Sequence, residues 1–235
     1  MNLFNSLITE IKTEYKTNPN NFGWRFIVTS KETLEKNNGI ALITLNPGGS
    51  VERKDHSTGS CENGCAYLSE IWAGGSVPGE STLQKQFQLL YREIAYQIKA
   101  DDYINVMESS LCGYFIPFRS PDIKSLKEKK HCIEFSKNIW TKILSARQYK
   151  VIICIDRVTY KNIDKILGEM SYIRIKESDF DTGWGSYKAT VSKYKTENGI
   201  VTLARFPHLS RFSIFRKDAG KKSIYKLMTA IFKDY

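Results

Sequence analysis

Two side chains that could take part in catalysis each follow an apolar run. Asn46 comes directly after the run 39–45, and His208 comes shortly after the run 200–204. In open α/β sheets, ligands bind beyond the carboxyl ends of the strands. If both runs are strands of one sheet, an amide and an imidazole would flank the same bound group.

The loop that contains Asn46 also has a simpler interpretation. It reads TLNPGGS, where an Asn-Pro step favours a turn and two glycines permit unusual backbone angles. Residues 46–54 do not match the nucleotide-binding patterns G-x-x-x-x-G-K-[ST] or G-x-G-x-x-G. No spacing supports a Ser-His-Asp triad. The loop is therefore either a simple turn at the end of a strand or part of a site. In the second case, the site does not bind a nucleotide through either of these two loop patterns.

Alternating apolar runs predict the fold class. The helical stripes lie at 2–16, 82–98, 122–146, 158–168 and 219–233, the strands at 39–45, 103–107, 151–155 and 200–204, and short extended pieces near 172–175 and 187–194. This order favours βαβ units with helices on both faces. We predict an α/β protein: a three-layer α/β/α domain with a central, mainly parallel four-stranded sheet.

The chain is predicted to form one domain over residues 1–235. With 41% hydrophobic residues it can build a sizeable core. Residues 48–80 are polar, lack periodicity and hold seven of the fifteen glycines, which indicates a long insertion.

The charge distribution points to a polyanionic partner. The formal net charge is +10, and residues 205–235 hold eight basic side chains against two acidic ones. Most of the excess charge therefore lies near the C-terminus, which is typical of a nucleic-acid-binding face. DNA is the expected partner, and we expect the protein to act as a monomer.

We expect a cytoplasmic protein that has no membrane contact. No run approaches the roughly eighteen apolar residues of a membrane span, and the N-terminus lacks the order of a signal peptide. The five cysteines are an odd number, and thiols stay reduced in the cytosol, so disulfides are not expected.

Three strand-end loops resemble the motifs of the uracil-DNA glycosylase superfamily. They read NPGGS, IPFRSP and FPHLSRF, and helical segments lie between them. In that family a Gly-x-Asn-Pro-Gly or Gly-Gln-Asp-Pro-Tyr motif follows strand one, and a His-Pro-Ser type loop follows strand four. The resemblance spans roughly Ile40 to Phe215 and rests on the order of short motifs. It implies a glycosylase fold and the cleavage of an N-glycosidic bond in DNA.

The resemblance also implies roles for the two side chains. Asn46 matches the position that places the attacking water, and His208 matches the histidine that donates to the base O2. A donor placed where charge develops on the departing base lowers the barrier. An asparagine is no full general base, so a slower enzyme is expected than one with aspartate.

A flipped base requires contacts to phosphates and a side chain that fills the vacated stack. Ser210 matches the phosphate-contacting serine of the family, and Phe212 or Ile214 would fill the stack beside Arg211 and Arg216, although simple core packing is the alternative for these apolar residues. The predicted DNA contacts are Arg119, Ser210, Arg211, Phe212, Arg216 and Lys217.

The predicted base pocket departs from the family. Its lining is assigned to Leu45, Pro47, Gly48, Gly113, Tyr114 and Phe115. The asparagine that usually reads the pyrimidine edge is missing from the second motif, and Asn105 comes too early. We therefore expect a bulkier modified pyrimidine, such as glucosylated hydroxymethylcytosine of phage DNA. The alternatives are uracil excision, a non-catalytic DNA-binding module, and a nucleoside or nucleotide hydrolase; repair and defence against phage both fit.

The cysteines raise the question of a metal. One branch of the superfamily carries an iron–sulfur cluster, and Cys112 and Cys132 fall near its later ligands, but no cysteine precedes Cys61. The Cys61-x-x-x-Cys65 spacing is too loose to assign zinc or iron–sulfur, and His56 and His131 only add candidate ligands. We expect no cofactor and free thiols. The alternative is an iron–sulfur cluster or zinc at Cys61, Cys65, Cys112 and Cys132.

Overall fold

One mixed sheet of six strands organises the chain. The computed structural model describes residues 2–36, 39–216 and 218–235. The strand order is β2-β1-β3-β6-β5-β4. The strands are β1 (Gly39–Thr44), β2 (Leu111–Tyr114), β3 (Tyr149–Ile155), β4 (Ile173–Asp181), β5 (Lys188–Thr196) and β6 (Gly199–Phe206).

Helices cover both faces of this sheet. They are α1 (Leu3–Thr17), α2 (Glu32–Glu35), α3 (Ala66–Ser69), α4 (Thr82–Ile98), α5 (Tyr103–Ser109), α6 (Lys129–Ala146), α7 (Arg157–Glu169) and α8 (Lys221–Phe232). Successive residues of β1 alternate between two cores: Leu42 packs with α4 and α8, whereas Ile43 packs with α1, α6 and α7. Alternation of this kind is what a strand buried on both faces requires. The α/β class is confirmed, and the layers agree with the predicted three-layer arrangement.

The predicted number of strands was wrong. Strands β2, β1, β3 and β6 are mutually parallel, as expected. Strands β5 and β4 add an antiparallel extension beside β6. These two strands coincide with the short extended pieces predicted near 172–175 and 187–194, but most residues of β4 are exposed, so the sequence did not show that they join the sheet.

The predicted strand at 103–107 was also wrong, because this segment forms α5. The side chain of Asp102 caps the helix by accepting from the Ile104 backbone N–H at 2.8 Å. Only Val106 and Met107 of this helix are buried. Such a short apolar stretch fits the periodicity of a helix and that of a strand equally well. The strand is β2, which follows within the segment predicted as a loop and is buried along its whole length.

The free side of β2 is covered by the segment 24–28. Val28 donates its N–H to the Cys112 carbonyl at 2.8 Å, and Tyr114 donates to the Phe26 carbonyl at 2.9 Å. Gly113 is needed here, because a Cβ would lie 3.1 Å from the Ile27 side chain and 3.2 Å from the Phe26 carbonyl. The segment therefore protects a strand edge that would otherwise be open to pairing.

A buried ion pair ties the insertion 48–80 to this covering segment. The Arg25 guanidinium donates to both carboxylate oxygens of Glu70 at 2.6 and 2.8 Å, and the two side chains are 2% and 10% exposed. The Trp72 indole N–H also donates to Glu70 at 3.0 Å. The insertion is therefore fixed to the body of the domain despite its polar sequence.

In residues 2–36, 39–216 and 218–235, none of the helices is both long and apolar enough to cross a membrane.

We predict that Arg25→Met lowers the free energy of unfolding by about 3–5 kcal/mol, because it leaves the Glu70 carboxylate buried without its partner. Chemical denaturation measures the change. The double variant Arg25→Met with Glu70→Leu should recover part of the loss. The control is Arg53→Ala, whose partner Asp55 is 60% exposed and which should change stability little. Equal effects of Arg25→Met and Arg53→Ala would contradict the proposed anchor.

Candidate functional site

The sheet register places Asn46 and His208 at one edge. Thr44 of β1 pairs with Ile155 of β3, which pairs with Phe206 of β6. Asn46 and His208 each follow two residues after a member of this row. Two strand spacings separate β1 from β6, which sets their backbones about 10 Å apart. The structure thus places both predicted residues in loops that leave the same edge of the sheet.

The Asn46 amide joins the first loop to the second. Its Nδ2 donates to the Ser120 carbonyl at 3.1 Å, to the Ser120 hydroxyl at 3.0 Å and to the Pro47 carbonyl at 3.1 Å. Carbonyl oxygens only accept hydrogen bonds, so they fix which end of the amide carries the nitrogen. Among the described residues the side-chain hydrogen bonds of Asn46 run from Nδ2, which also lies 3.5 Å from the Phe118 carbonyl, so Oδ1 is the end of the amide that does not face Ser120.

Arg119 reinforces the same junction. Its Nη1 donates to the Gly48 carbonyl, its backbone N–H donates to the Gly23 carbonyl at 3.0 Å, and its side chain is buried. Burial lowers the pKa of this guanidinium. Among the described residues its Nε has no partner. Arg119 was predicted to contact DNA, but the structure uses it to hold two loops together, so a contact with phosphate remains a prediction.

The predicted pocket residues separate into two groups. Pro47 and Gly48 lie beside Asn46, and Leu45, which is partly buried, precedes it. Gly113 and Phe115 do not form the predicted wall of the base pocket. Gly113 packs against Ile27, and Phe115 is completely buried in the core beneath α6. Their placement follows from the alternation of β2, which turns them away from the insertion.

Tyr114 lies on the opposite face, towards the insertion. Its side chain is 7% exposed, and burial raises the pKa of its phenol while the nearby Arg25 and Arg119 oppose that rise. Tyr67, from the insertion, lies in the same buried region, and among the described residues its hydroxyl has no partner. Of the second-motif residues assigned to the pocket, Tyr114 is the one that faces this polar region.

His208 is held as a neutral imidazole by its loop. Burial and, to a smaller extent, the positive charge of Arg211 lower the pKa of His208 below 6.5. Its Nδ1 lies 2.8 Å from the Ser210 hydroxyl, and its carbonyl accepts from the backbone N–H groups of Arg211 and Phe212. A serine that donates to Nδ1 leaves the proton on Nε2, which is the tautomer able to donate. Ser210, predicted to contact phosphate, thus also contacts the imidazole.

The apolar residues after His208 have different environments. Phe212 is partly buried against the rings of Tyr187 and Trp184, at centroid distances of 4.1 and 6.3 Å. Ile214 is 1% exposed and belongs to the core, as its alternative interpretation proposed. Arg211 is exposed. The predicted DNA contacts at Arg216 and Lys217 cannot be placed, because Lys217 and the side chain of Arg216 lie outside the described residues.

Asp156 was missed by the sequence reasoning. It follows β3, between the ends of β1 and β6, with φ 107° and ψ 167°, a backbone region that is almost exclusive to glycine. Its carboxylate accepts from the Val158 and Thr159 backbone N–H groups at 2.6 and 2.9 Å, and burial raises its pKa. The sequence feature that could have revealed this residue is an aspartate between an apolar strand and a helix, because aspartate is a preferred N-cap residue. These contacts position α7 at the centre of the site edge.

The candidate metal ligands do not form one cluster. Cys61, Cys65 and Cys112 lie in the core on the α4 side, whereas Cys132 lies in the core on the α6 side. Within the described ranges, no group of three or more histidine, cysteine, aspartate or glutamate side chains could hold a metal ion. All five cysteines are buried as free thiols.

Two surface cavities lie at the other end of the sheet. The smaller, of about 130 Å³, is lined by residues such as Gly39, Tyr149 and Gly199, which begin β1, β3 and β6. The larger, of about 440 Å³, is lined by residues including Arg147 and Tyr172. Neither contains Asn46 or His208, so the case for the site rests on the strand ends.

No family model matches this chain, and no curated protein matches it.

We predict that His208 titrates with a midpoint below 6.5 and that Arg211→Ala moves this midpoint upwards, because a nearby positive charge is removed. The imidazole carbon shifts in NMR measure both values. Because the unfolded chain binds the proton more readily, stability should fall as the pH drops from 6.5 towards the folded pKa. His208→Gln should remove that part of the pH dependence, and a wild-type midpoint above 6.5 would contradict the assignment.

We predict that Asn46→Asp destabilises the junction of the two loops by about 1–3 kcal/mol, because a carboxylate replaces a donor that faces carbonyl oxygens. The new carboxyl group should have a raised pKa in the folded state. The unfolded chain then releases its proton first, so the loss of stability should be greater at pH 8 than at pH 5. Thermal unfolding of Asn46→Asp and Asn46→Ala at both pH values tests this, and a loss independent of pH would refute it.

Proposed function

We propose that the protein is a DNA glycosylase that hydrolyses the N-glycosidic bond of a flipped-out modified pyrimidine and leaves an abasic site. One observation carries the proposal. Asn46, with its Oδ1 oriented as an acceptor, and His208, held as a neutral imidazole, extend from register-matched ends of two parallel strands. The backbones of the two strands that lead to these residues lie two strand spacings, about 10 Å, apart, which would leave room for a nucleoside between the two loops.

The proposed reaction uses each residue once. Oδ1 of Asn46 accepts a hydrogen bond from water and directs its oxygen towards C1′ of the sugar. The C1′–N1 bond breaks as the new C1′–O bond forms, and the pyrimidine leaves as an anion. The His208 Nε2–H donates to O2 of that anion and stabilises it without transferring its proton. The water proton passes to solvent, because Asn46 cannot bind it.

The nature of the base is a second part of the proposal. The segment after β2 reads FIPF and supplies no amide to read the edge of a pyrimidine. In the polar region around Tyr114, Arg25 and Tyr67, which is buried under the insertion, the Arg25 Nε and the Tyr67 hydroxyl have no partner among the described residues. We therefore favour a modified pyrimidine with additional acceptors, such as glucosylated hydroxymethylcytosine, over uracil. Host repair and defence against phage are both compatible with this activity.

A non-catalytic DNA-binding module is the second candidate. It is favoured by the hydrogen bonds from Nδ2 of Asn46 to four acceptor atoms of the loops, because these bonds explain the asparagine by the structure of the loops alone. Both candidates predict binding that weakens as salt rises. They differ in whether an abasic product forms.

The decisive experiment incubates the protein with duplexes that contain uracil or glucosylated hydroxymethylcytosine and then cleaves abasic sites with alkali. We predict that His208→Ala reduces the rate of base release roughly 100-fold to 1000-fold, as expected when one donor to a developing anion is removed. The matched control is His131→Ala, since His131 is exposed and pairs with Glu14 of α1. Strands that stay intact with every substrate, while DNA is still bound, would favour the non-catalytic module.

Asn46→Ala should also reduce base release while DNA binding is retained. Base release is measured by mass spectrometry and binding by fluorescence anisotropy on the same preparations. Equal activity of Asn46→Ala and the wild type would remove the proposed water-positioning role.

A further inference from the structure

The tip of the hairpin between β4 and β5 lies at the same edge as the candidate site. The tip comprises residues 182–187 and reads TGWGSY. Because β5 runs antiparallel to β6, its first residues meet the last residues of β6: Thr190 pairs with Arg205. The tip therefore extends beyond the carboxyl end of β6, beside the loop that carries His208.

Internal hydrogen bonds and one close contact fix the shape of the tip. The Thr182 hydroxyl donates to the Tyr187 carbonyl at 2.7 Å, and the Tyr187 N–H donates to the Trp184 carbonyl at 3.2 Å. Gly183 has φ +70°, and a Cβ on it would lie 2.4 Å from the Cα of Gly220, just before α8. The tip is thus seated against the start of α8.

The tip presents an aromatic ring next to the site. Tyr187 is 50% exposed, and its ring lies 4.1 Å from that of Phe212, with an interplanar angle of 42°. The ring of Trp184 also packs against this phenylalanine, with 6.3 Å between the ring centroids. One face of the pair is thus fixed to the His208 loop, while half of Tyr187 is open to solvent.

The chain segments that meet at the tip carry basic side chains, which suit a polyanion. Lys188, which follows Tyr187, is exposed, and so are Arg211 and Lys222. The acidic side chains nearby are Asp181, which lies near the Ser223 hydroxyl, and Asp218, which pairs with Lys221 at 2.7 Å. An exposed aromatic ring among basic side chains is the usual arrangement for binding unpaired nucleotides.

We propose that the hairpin tip is a second DNA-binding element, in which Tyr187 stacks on an unpaired base of the strand that passes the site. This inference rests on the proposed function, because it assumes that DNA occupies this edge. The ring would hold a nucleotide that is left without a stacking neighbour when the target base leaves the helix. The competing interpretation is that Tyr187 simply covers Phe212.

The test measures binding without catalysis. The probe is a short duplex in which 2-aminopurine stands opposite a tetrahydrofuran abasic analogue, which has no base to excise. Tyr187→Leu keeps an apolar cover over Phe212 but loses the aromatic face, whereas Tyr187→Phe keeps that face. We expect Tyr187→Leu to weaken binding roughly tenfold and to abolish quenching of 2-aminopurine, and Tyr187→Phe to behave as the wild type.

Tyr96→Ala is the matched control, because Tyr96 is 67% exposed in the last turn of α4. It should bind the probe as tightly as the wild type. A second pair of variants moves the tip without changing its rings. Gly183→Ala should weaken binding, whereas Gly185→Ala, which also has positive φ but open space at its Cβ, should not.

Tyr187→Leu that binds and quenches as the wild type does would overturn the proposal, and so would equal losses in Tyr187→Leu and Tyr96→Ala. The proposed function is judged separately. If Tyr187 stacks on the probe but no base is released from any substrate, the proposed glycosylase activity is wrong and the proposed DNA-binding tip is supported. Base release with no contribution from Tyr187 would do the reverse.

Discussion

The Asn46 amide is the interaction on which the site depends. By donating to the carbonyls of Pro47 and Ser120, it links the loop after β1 to the loop after β2. The side chain that would direct water is thus also the one that fixes its own loop. This double use limits substitution, because a change meant to improve the base chemistry removes the donor that sets the geometry.

The other side of the site is built differently. His208 depends on its own turn and on Ser210, and its loop is supported from outside by Phe212 against the hairpin tip. Asp156 stands between the two sides, where its backbone strain is offset by the capping of α7. Three neighbouring strands thus each contribute one polar residue to the edge. The central one, Asp156, caps α7, and the proposed function assigns the chemistry to Asn46 and His208.

Periodicity predicted the parts of the fold that are buried on both faces. The apolar runs of β1, β3 and β6 gave their strands and their shared edge, and so the placement of Asn46 and His208. It failed for β2, which is short and is covered by residues 24–28, and for the exposed β4 it indicated only a short extended piece near 172–175. For the same reason the sequence did not show that Arg119 and Phe115 are buried, because the residue types of a loop alone do not reveal which side chains face the core.

The strand order also bears on the sequence of folding events. Strands β4, β5 and β6 follow one another along the chain and pair as antiparallel neighbours, so they close short loops. Strand β1 must instead find β2 and β3 across long stretches of chain, which is slow. We expect the hairpin and β6 to form early and to present a template edge on which β3 and then β1 assemble. The half of the site that carries Asn46 would then be the last to take shape.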